Sequence, residues 1–263
     1  GAGGAAATAA NTACAGNCLT KALAAAGNGI NTAGGNWESV HSSASTETNW
    51  WFQFNSERSG YVAAGALMVD SLTARADPRL AIYFTGPPYV GSKPGQDNGS
   101  ASPLNIGSGG IAEASNGLPL ISCAETQFII AEAQYRLGAT AAANTALQNG
   151  ITCQESHFGV NIPNPPALTG TALFHEIMMQ KYFALFLNME AWNDYKRTCE
   201  PNVAAGVKAG GSLASKPIPA RVFYGESERQ SNDNLSAPGT GNNGLRNRND
   251  PVSCATVTGL TGA

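Results

Sequence analysis

The sequence predicts a mainly α-helical fold with long irregular loops and a few short strands. Residues 119–197 carry the strongest helical patterns in the chain. Residues 85–117 are instead rich in Gly, Pro, Ser and Asn, which predicts a long loop without regular structure. A chain of 263 residues can form one large domain or two small ones, and we interpret residues 1–263 as a single domain.

The N-terminal half alternates short apolar segments with turns. An Ala-rich helix is expected to end at Gly27. The run Trp50–Phe54 predicts a short strand or a packed extended segment. A helix is expected over residues 61–76, because Asp77-Pro78 prevents its continuation. The apolar run Leu80–Phe84 then predicts a strand ahead of the long loop.

Two helices in the C-terminal half are predicted to form an αα-hairpin, the repeat unit of TPR-like solenoids. The first is expected over Pro119–Leu137, with Gly138 as its C-cap. The second is expected over Ala139–Gln148 and ends at Asn149-Gly150. The longest helix is predicted over Ala172–Glu190, where apolar residues cover most of the circumference, as is typical of a buried helix.

The composition limits the classes of ligand. Charged residues make up 13% of the chain, about half the usual ~25%, and Gly contributes 31 residues. Neutral polar loops suit uncharged ligands such as sugars, or close packing between subunits. The net charge of −3 comes without a basic stripe, which excludes a nucleic-acid binder.

No apolar run approaches the ~20 residues of a membrane span. No signal peptide is recognisable, so an extracytoplasmic protein with this sequence is expected to be part of a longer or processed chain.

Cysteine spacing indicates disulfides and no metal site. The six cysteines include no CxxC pair, and Cys14 and Cys18, four residues apart, have no histidine nearby, which argues against zinc. Disulfides in an oxidising compartment or buried free thiols both fit, and the sequence leaves the connectivity open. The cysteines are Cys14, Cys18, Cys123, Cys153, Cys199 and Cys254.

Four segments between about residues 45 and 235 resemble those of a known family in the same order. They are Trp50–Phe84, whose helix runs into Asp77-Pro78-Arg79-Leu80; Leu120–Gly138, with Glu125 and Ala131-Glu132-Ala133; Ile177–Thr198, ending in WNDYKRT; and Pro219–Asn234, PARVFYGESERQSNDN. Together they resemble the C-terminal half of the SusD/RagB family of outer-membrane nutrient-binding lipoproteins.

The resemblance implies a SusD-like, TPR-containing fold and a function without catalysis or cofactor. Family members lie lipid-anchored on the extracellular face of the outer membrane and cap a SusC-like TonB-dependent transporter. They capture polysaccharides or oligosaccharides, or peptides in some branches, and deliver them uncleaved. We therefore expect ligand binding through the loops 28–60 and 85–117. The family is usually about twice as long, so the lipid anchor is expected in a missing N-terminal part. Six cysteines also exceed what the family leads us to expect.

Four aromatic residues are candidate ligand-binding residues, because an aromatic face matches the C–H face of a sugar ring. Trp37 and Tyr89 lie among Gly, Pro and Asn, where a side chain can stay exposed. Trp50 and Trp51 lie within a family motif, where core or interface packing is the alternative interpretation.

Carboxylates and histidines give no convincing catalytic set. Glu190 and Asp194 are four residues apart and could share a helix face, as a glycosidase pair would require. Salt bridges with Lys196 and Arg197 at the helix end are the simpler interpretation. The three histidines are far apart, and no hydrolase or nucleotide-binding motif occurs. We therefore predict no catalytic residues and no metal site.

A structural role is the main alternative to ligand capture. Low charge, abundant Ala, Gly and Thr, and possible disulfides would also suit a subunit of an extracellular surface layer or filament built on the same fold. Such a subunit would associate with itself without a ligand.

Overall fold

The computed structural model describes residues 17–93 and 99–201, together with Ser227 and Ser231, and it confirms the mainly α-helical prediction. Between residues 17 and 201 it contains eight α-helices and one two-stranded sheet. The apolar segment Ile218–Tyr224, for which the sequence predicts a strand or an extended arm, lies outside the described residues. In chain order the elements are α1 (Cys18–Gly27), a 3-10 turn (Ala33–Gly35), β1 (Trp37–Ser39), α2 (Trp50–Glu57), α3 (Ala66–Ala74), α4 (Arg79–Tyr83), β2 (Leu118–Ile121), α5 (Cys123–Arg136), α6 (Thr140–Phe158), α7 (Gly170–Ala184) and α8 (Glu190–Thr198).

The predicted αα-hairpin is formed by α5 and α6. The Ser122 hydroxyl caps α5 by accepting from the backbone N–H of Glu125 at 3.1 Å. Gly138 follows the helix with a φ of +79°, which favours glycine and permits the tight turn into α6. A disulfide joins Cys123 to Cys153 across a Cα–Cα distance of 5.7 Å and ties the start of α5 to α6. Cys18 and Cys199 are also disulfide-bonded. The hairpin packs on α7 around a buried core that includes Phe128, Leu147, Ile151, Leu173 and Ile177.

The predicted end of the second hairpin helix at Asn149-Gly150 is wrong, because α6 continues to Phe158 and ends at Gly159. Gly150 is a packing residue. A Cβ atom at this position would lie 2.5 Å from Cε1 of Phe128 on the facing helix. The glycine therefore permits a close approach of two helices, and it does not mark a turn.

We expect Gly150→Ala to lower the free energy of unfolding by about 1–3 kcal/mol, because the new methyl group must displace Phe128 in a close-packed core. Better helix propensity, worth about 1 kcal/mol, offsets part of this loss. Denaturant unfolding measures the change. Gly27→Ala is the control, since a Cβ atom there meets nothing within 4 Å. Equal stability of the two variants would contradict the packing role.

Two segments predicted as strands are helices instead. Trp50–Phe54 lies in α2, where the Asn49 side chain accepts from the Trp51 backbone N–H at 2.8 Å. Leu80–Phe84 overlaps α4, where Asp77 Oδ1 accepts from the Arg79 backbone N–H at 3.0 Å. In both cases a side-chain acceptor just before the helix binds a backbone N–H of its first turn, and this local interaction outweighs the β propensity of the aromatic residues. The helix predicted over residues 61–76 is shorter, because α3 starts at Ala66.

The start of the first hairpin helix and the end of the buried helix also differ from prediction. Leu118–Ile121 forms β2, antiparallel to β1, so α5 begins later than Pro119. The helix predicted over Ala172–Glu190 ends earlier, because α7 stops at Ala184, and Leu187 in the connection to α8 has a φ of +67°. At 19 residues α6 is longer than α7. Burial of α7 is confirmed, since Leu173, Ile177, Met178, Met179 and Phe183 are all buried.

The motif around Asp77-Pro78-Arg79 forms a buried ionic contact with α7. Arg79 donates to both carboxylate oxygens of Asp77, at 2.6 Å from Nη2 to Oδ2, and both side chains are almost completely buried. Arg79 Nη2 also donates to Gln180 Oε1 at 2.7 Å. Gln180 in turn donates to Glu176, which pairs with Arg75 at 2.9 Å. The motif therefore fixes α4 on α7.

A second ionic cluster joins α5 to α8. Arg197 donates both terminal nitrogens to the two carboxylate oxygens of Glu132, which also pairs with Arg136 at 2.8 Å. Asp194 accepts from Arg197 and from Lys181, whose Nζ lies 2.8 Å away. Burial opposes ionisation of Glu132, but the Arg197 hydrogen bond and the nearby cations outweigh it and lower the pKa of Glu132 to about 2. Two of the resembling segments thus meet in one structural contact.

The loop predicted over residues 85–117 contains no helix or strand in its described part. It is anchored by backbone pairs, such as Asn105 N–H to Tyr83 O at 2.9 Å, and by the Asn105 side chain, which donates to Ala81 O at 2.8 Å. Within the described ranges, none of the helices has both the length and the apolar character needed to cross a bilayer.

Candidate functional site

A cleft of about 400 Å³ opens beside β2 and the connection between α7 and α8. Trp51 of α2 lines one part of it, and Phe158 at the end of α6 lines another. Polar side chains from several elements also face this cleft: Asn36, Asn116, Ser122, Glu125, Gln154, His157, Asn188 and Glu190. Aromatic surface combined with a few polar groups is typical of a small-ligand site.

Short segments before β1 and β2 set the shape of the cleft. Asn36 accepts from the Cys123 backbone N–H at 2.8 Å and donates to Glu38 Oε1 at 3.0 Å. Asn116 donates to Ile111 O at 2.6 Å. Asn49 donates to Asn116 O at 2.8 Å, which holds the start of α2 against the end of the long loop. The lining is therefore positioned by hydrogen bonds within the protein.

Gln154 carries the clearest sign of an unfilled interaction. Its side chain is only 5% exposed, and its Oε1 atom has no hydrogen-bond partner. A buried polar atom without a partner destabilises the fold, so each one calls for an explanation. Gln154 is also one of the residues that line the cleft.

Two titratable groups in the cleft have shifted pKa values. Burial raises the pKa of Glu125; Lys181 opposes this shift, while Glu190 and Asp194 add to it. Burial lowers the pKa of His157, although Glu38, 3.5 Å away, opposes the shift. His157 is therefore mainly neutral at pH 7, since its ordinary pKa is already below 7.

The aromatic side of the cleft is half-buried and held in place by other rings. The centroids of Trp51 and Trp50 lie 4.5 Å apart in an edge-on arrangement, and Trp50 stacks on Phe54 at 5.8 Å. Phe158 packs edge-on against Tyr83 at 5.9 Å. Such fixed rings offer an apolar surface without much loss of side-chain freedom on binding.

The structure brings together only two of the four predicted ligand-binding residues. Trp51 lines the cleft, and Trp50, which is 55% exposed, lines a neighbouring hollow of about 380 Å³ with His41 and Gln53. Trp37 is 62% exposed on β1 but is not among the residues lining either space. Tyr89 packs at the edge of the core formed by α3, α4 and α7.

Gln154, Glu125 and His157 line the cleft but are not among the predicted ligand-binding residues. Gln154 and His157 lie in the part of α6 beyond the wrongly predicted helix end, so the pattern gave no reason to select them. Glu190 and Asp194 do not face the cleft as a pair. Glu190 lines the cleft, whereas Asp194 is buried against Lys181. Over residues 17–93 and 99–201, no group of three or more His, Cys, Asp or Glu side chains is arranged to hold a metal ion.

Comparisons with known proteins agree with this architecture. No curated protein sequence is significantly similar to the chain. A crystal structure of a SusD homolog from Bacteroides fragilis NCTC 9343 shares the fold, with a TM-score of 0.57 and 20% sequence identity over 82% of this chain. The match spans 57% of that homolog's own length. The SusD-like_2 family model, described as "Starch-binding associating with outer membrane", matches residues 7–225. This chain belongs to the SusD-like family.

Proposed function

We propose that this chain captures a glycan in the cleft lined by Trp51 and Gln154, without cleaving it. The unpartnered Gln154 Oε1 beside an aromatic wall is the observation that carries the proposal. Trp51 would stack on a sugar ring, and a sugar hydroxyl would donate to Gln154. The family description, which names starch binding and the outer membrane, supports a glycan over the alternative ligand, an oligopeptide.

Delivery to a transporter completes the proposal. We place the protein on the extracellular face of the outer membrane, held by a lipid anchor and seated on a SusC-like TonB-dependent transporter. The family description supports the membrane association. Co-purification from detergent-solubilised outer membranes with such a transporter would test the partnership. Recovery of this chain alone, under conditions that preserve other transporter complexes, would count against it.

The binding experiment compares two cleft variants on a glycan and peptide array, followed by calorimetry. We expect Trp51→Ala to weaken glycan binding about tenfold, because it removes the stacking surface. Gln154→Met removes the acceptor while keeping the volume, and it should weaken binding roughly fivefold to tenfold. In the free protein the same change should raise the free energy of unfolding by about 1 kcal/mol, because an unpartnered buried acceptor disappears.

Trp37→Ala is the matched control, since it removes an exposed tryptophan that does not line the cleft. Its affinity should equal that of the unaltered protein. Binding lost in Trp37→Ala and kept in Trp51→Ala would overturn the placement of the site. Binding to peptides and to no glycan would show that the ligand is a peptide. No binding on either array would overturn the proposed capture function.

A second candidate function is self-association as a structural subunit. The observation that favours it is the exposed apolar pair on the small sheet, formed by Trp37 and its partner Ile121. Exposed apolar groups on a sheet edge favour pairing with another chain. Light scattering after size exclusion tests it: concentration-dependent assembly that Trp37→Ser abolishes supports this function, and a dispersed monomer at high concentration opposes it.

A further inference from the structure

The cleft offers a ligand several hydrogen-bond acceptors. Gln154 Oε1 is buried without a partner, and Glu125 and Glu190 contribute carboxylates. The amide groups of Asn36 and Asn116 already donate within the protein, to Glu38 and to the Ile111 carbonyl. A ligand that carries N–H or O–H donors can therefore bind to these acceptors.

The charge of the lining points in the same direction. Among the described residues that line the cleft, none is Lys or Arg, and the ionisable side chains are Glu125, Glu190 and the mainly neutral His157. The cation that acts on Glu125 is Lys181, but its Nζ is already paired with Asp194 Oδ2 at 2.8 Å. Nothing in this lining neutralises an anionic ligand.

We propose that the cleft selects its saccharide by charge, accepting neutral or amine-bearing sugars and rejecting sugars that carry carboxylates or sulfates. The inference rests on the proposed capture function and specifies its ligand class. A hydroxyl or an ammonium group donates to Gln154 and to the Glu125 carboxylate. A sugar carboxylate cannot donate, and it would add a like charge to a partly buried acidic site.

The expected discrimination follows from the interaction of single charges at short range. Near a protein surface, two unit charges a few ångströms apart interact strongly enough to change affinity by about tenfold or more. We therefore expect an aminated sugar to bind at least as tightly as its neutral parent. The carboxylated form should bind about tenfold more weakly than the parent.

The experiment uses matched oligosaccharides that differ only at C6. Maltohexaose and cellohexaose are each prepared in three forms: unmodified, oxidised to the C6 carboxylate, and converted to the C6 amine. Calorimetry on the full chain gives the affinity of each form at low salt and at 0.5 M salt. At 0.5 M salt the Debye length is only about 4 Å, so screening should reduce the difference in affinity between the amine and the carboxylate.

Two variants assign the selectivity to the cleft. Glu125→Gln keeps the shape of the side chain and should bring the affinities of the carboxylate and the amine several-fold closer together. Glu57→Gln removes the same charge at an exposed end of α2 and should leave the selectivity unchanged. Circular dichroism of both variants tests whether folding is intact, and Glu190→Gln provides a second lining variant should Glu125→Gln fail to fold.

The outcomes separate this inference from the function on which it rests. If the carboxylated sugar binds as tightly as the amine, charge selection is wrong while glycan capture stands. Selectivity that persists unchanged in both Glu125→Gln and Glu190→Gln also overturns it. If no form in either series binds, glycan capture is overturned and the charge inference falls with it.

Discussion

Arg79→Met is expected to lower the free energy of unfolding by about 3–5 kcal/mol, because it leaves the buried Asp77 carboxylate without its partner. The two side chains are 0% and 1% exposed, and Asp77 meets Arg79 through both oxygens. Removal of the guanidinium also leaves Gln180 Oε1 without its donor. The substitution further removes the cation–π contact of Arg79 with Phe183, whose ring centroid lies 5.1 Å away. Denaturant unfolding followed by far-ultraviolet circular dichroism measures the loss.

Arg75→Met is the matched control for this experiment. Arg75 contacts the same helix through Glu176, but its side chain is 28% exposed, so water replaces part of the lost interaction. A loss of about 1 kcal/mol or less is expected. If Arg79→Met lowers the free energy of unfolding no more than Arg75→Met does, the buried pair does not fix α4 on α7. In that case the double variant Asp77→Leu/Arg79→Met would be no more stable than Arg79→Met alone.

Glu132→Gln should cost about 3 kcal/mol at pH 7, and the cost should disappear in acid. The pKa of Glu132 is about 2 in the folded protein and near 4.5 in an unfolded chain. A lowered pKa means that the ionised carboxylate stabilises the fold above pH ~4.5, and that this contribution is lost as the pH falls towards 2. The variant lacks the contribution at every pH, so its stability should fall less steeply in acid.

Unfolding curves at pH 7, 5 and 3 test the prediction, with Glu57→Gln as the control for removal of one carboxylate from an exposed position. The difference between Glu132→Gln and the unaltered protein should shrink as the pH approaches 3. A difference that stays constant from pH 7 to pH 3 would show that the loss arises from packing and does not involve the charge of Glu132.

The sequence predicted helices best where one signal acted alone. Gly27 and Gly138 end α1 and α5 as expected, because no tertiary contact competes with a glycine stop. Gly150 does not end α6, because here glycine provides the space for the facing Phe128 side chain where two helices approach closely. Trp50–Phe54 failed as a strand because the Asn49 cap is a local interaction that a composition pattern does not reveal.

The candidate site was less accessible to sequence reasoning than the fold. Trp51 and Trp37 are both predicted because an aromatic face matches the C–H face of a sugar ring, but only Trp51 lines the cleft. Gln154 became a candidate only through its burial and its missing partner, which are properties of three-dimensional packing. The division between α7 and α8 at Leu187, which shapes one side of the cleft, had no sequence signal that we recognised.

By itself the sequence determined the helical class, the αα-hairpin, the long loop at residues 85–117 and the motifs that carry the family resemblance. These features depend on local capping, periodicity and composition, which neighbouring residues in the chain establish together. Tertiary structure alone decided that Asp77 pairs with Arg79 against α7, that Glu132 meets Arg197, and that Trp51 and Gln154 face one cleft. The contacts of Arg79 with Gln180 and of Glu132 with Arg197 join distant segments, and the energy of all these ion pairs depends on burial, which a linear sequence does not specify.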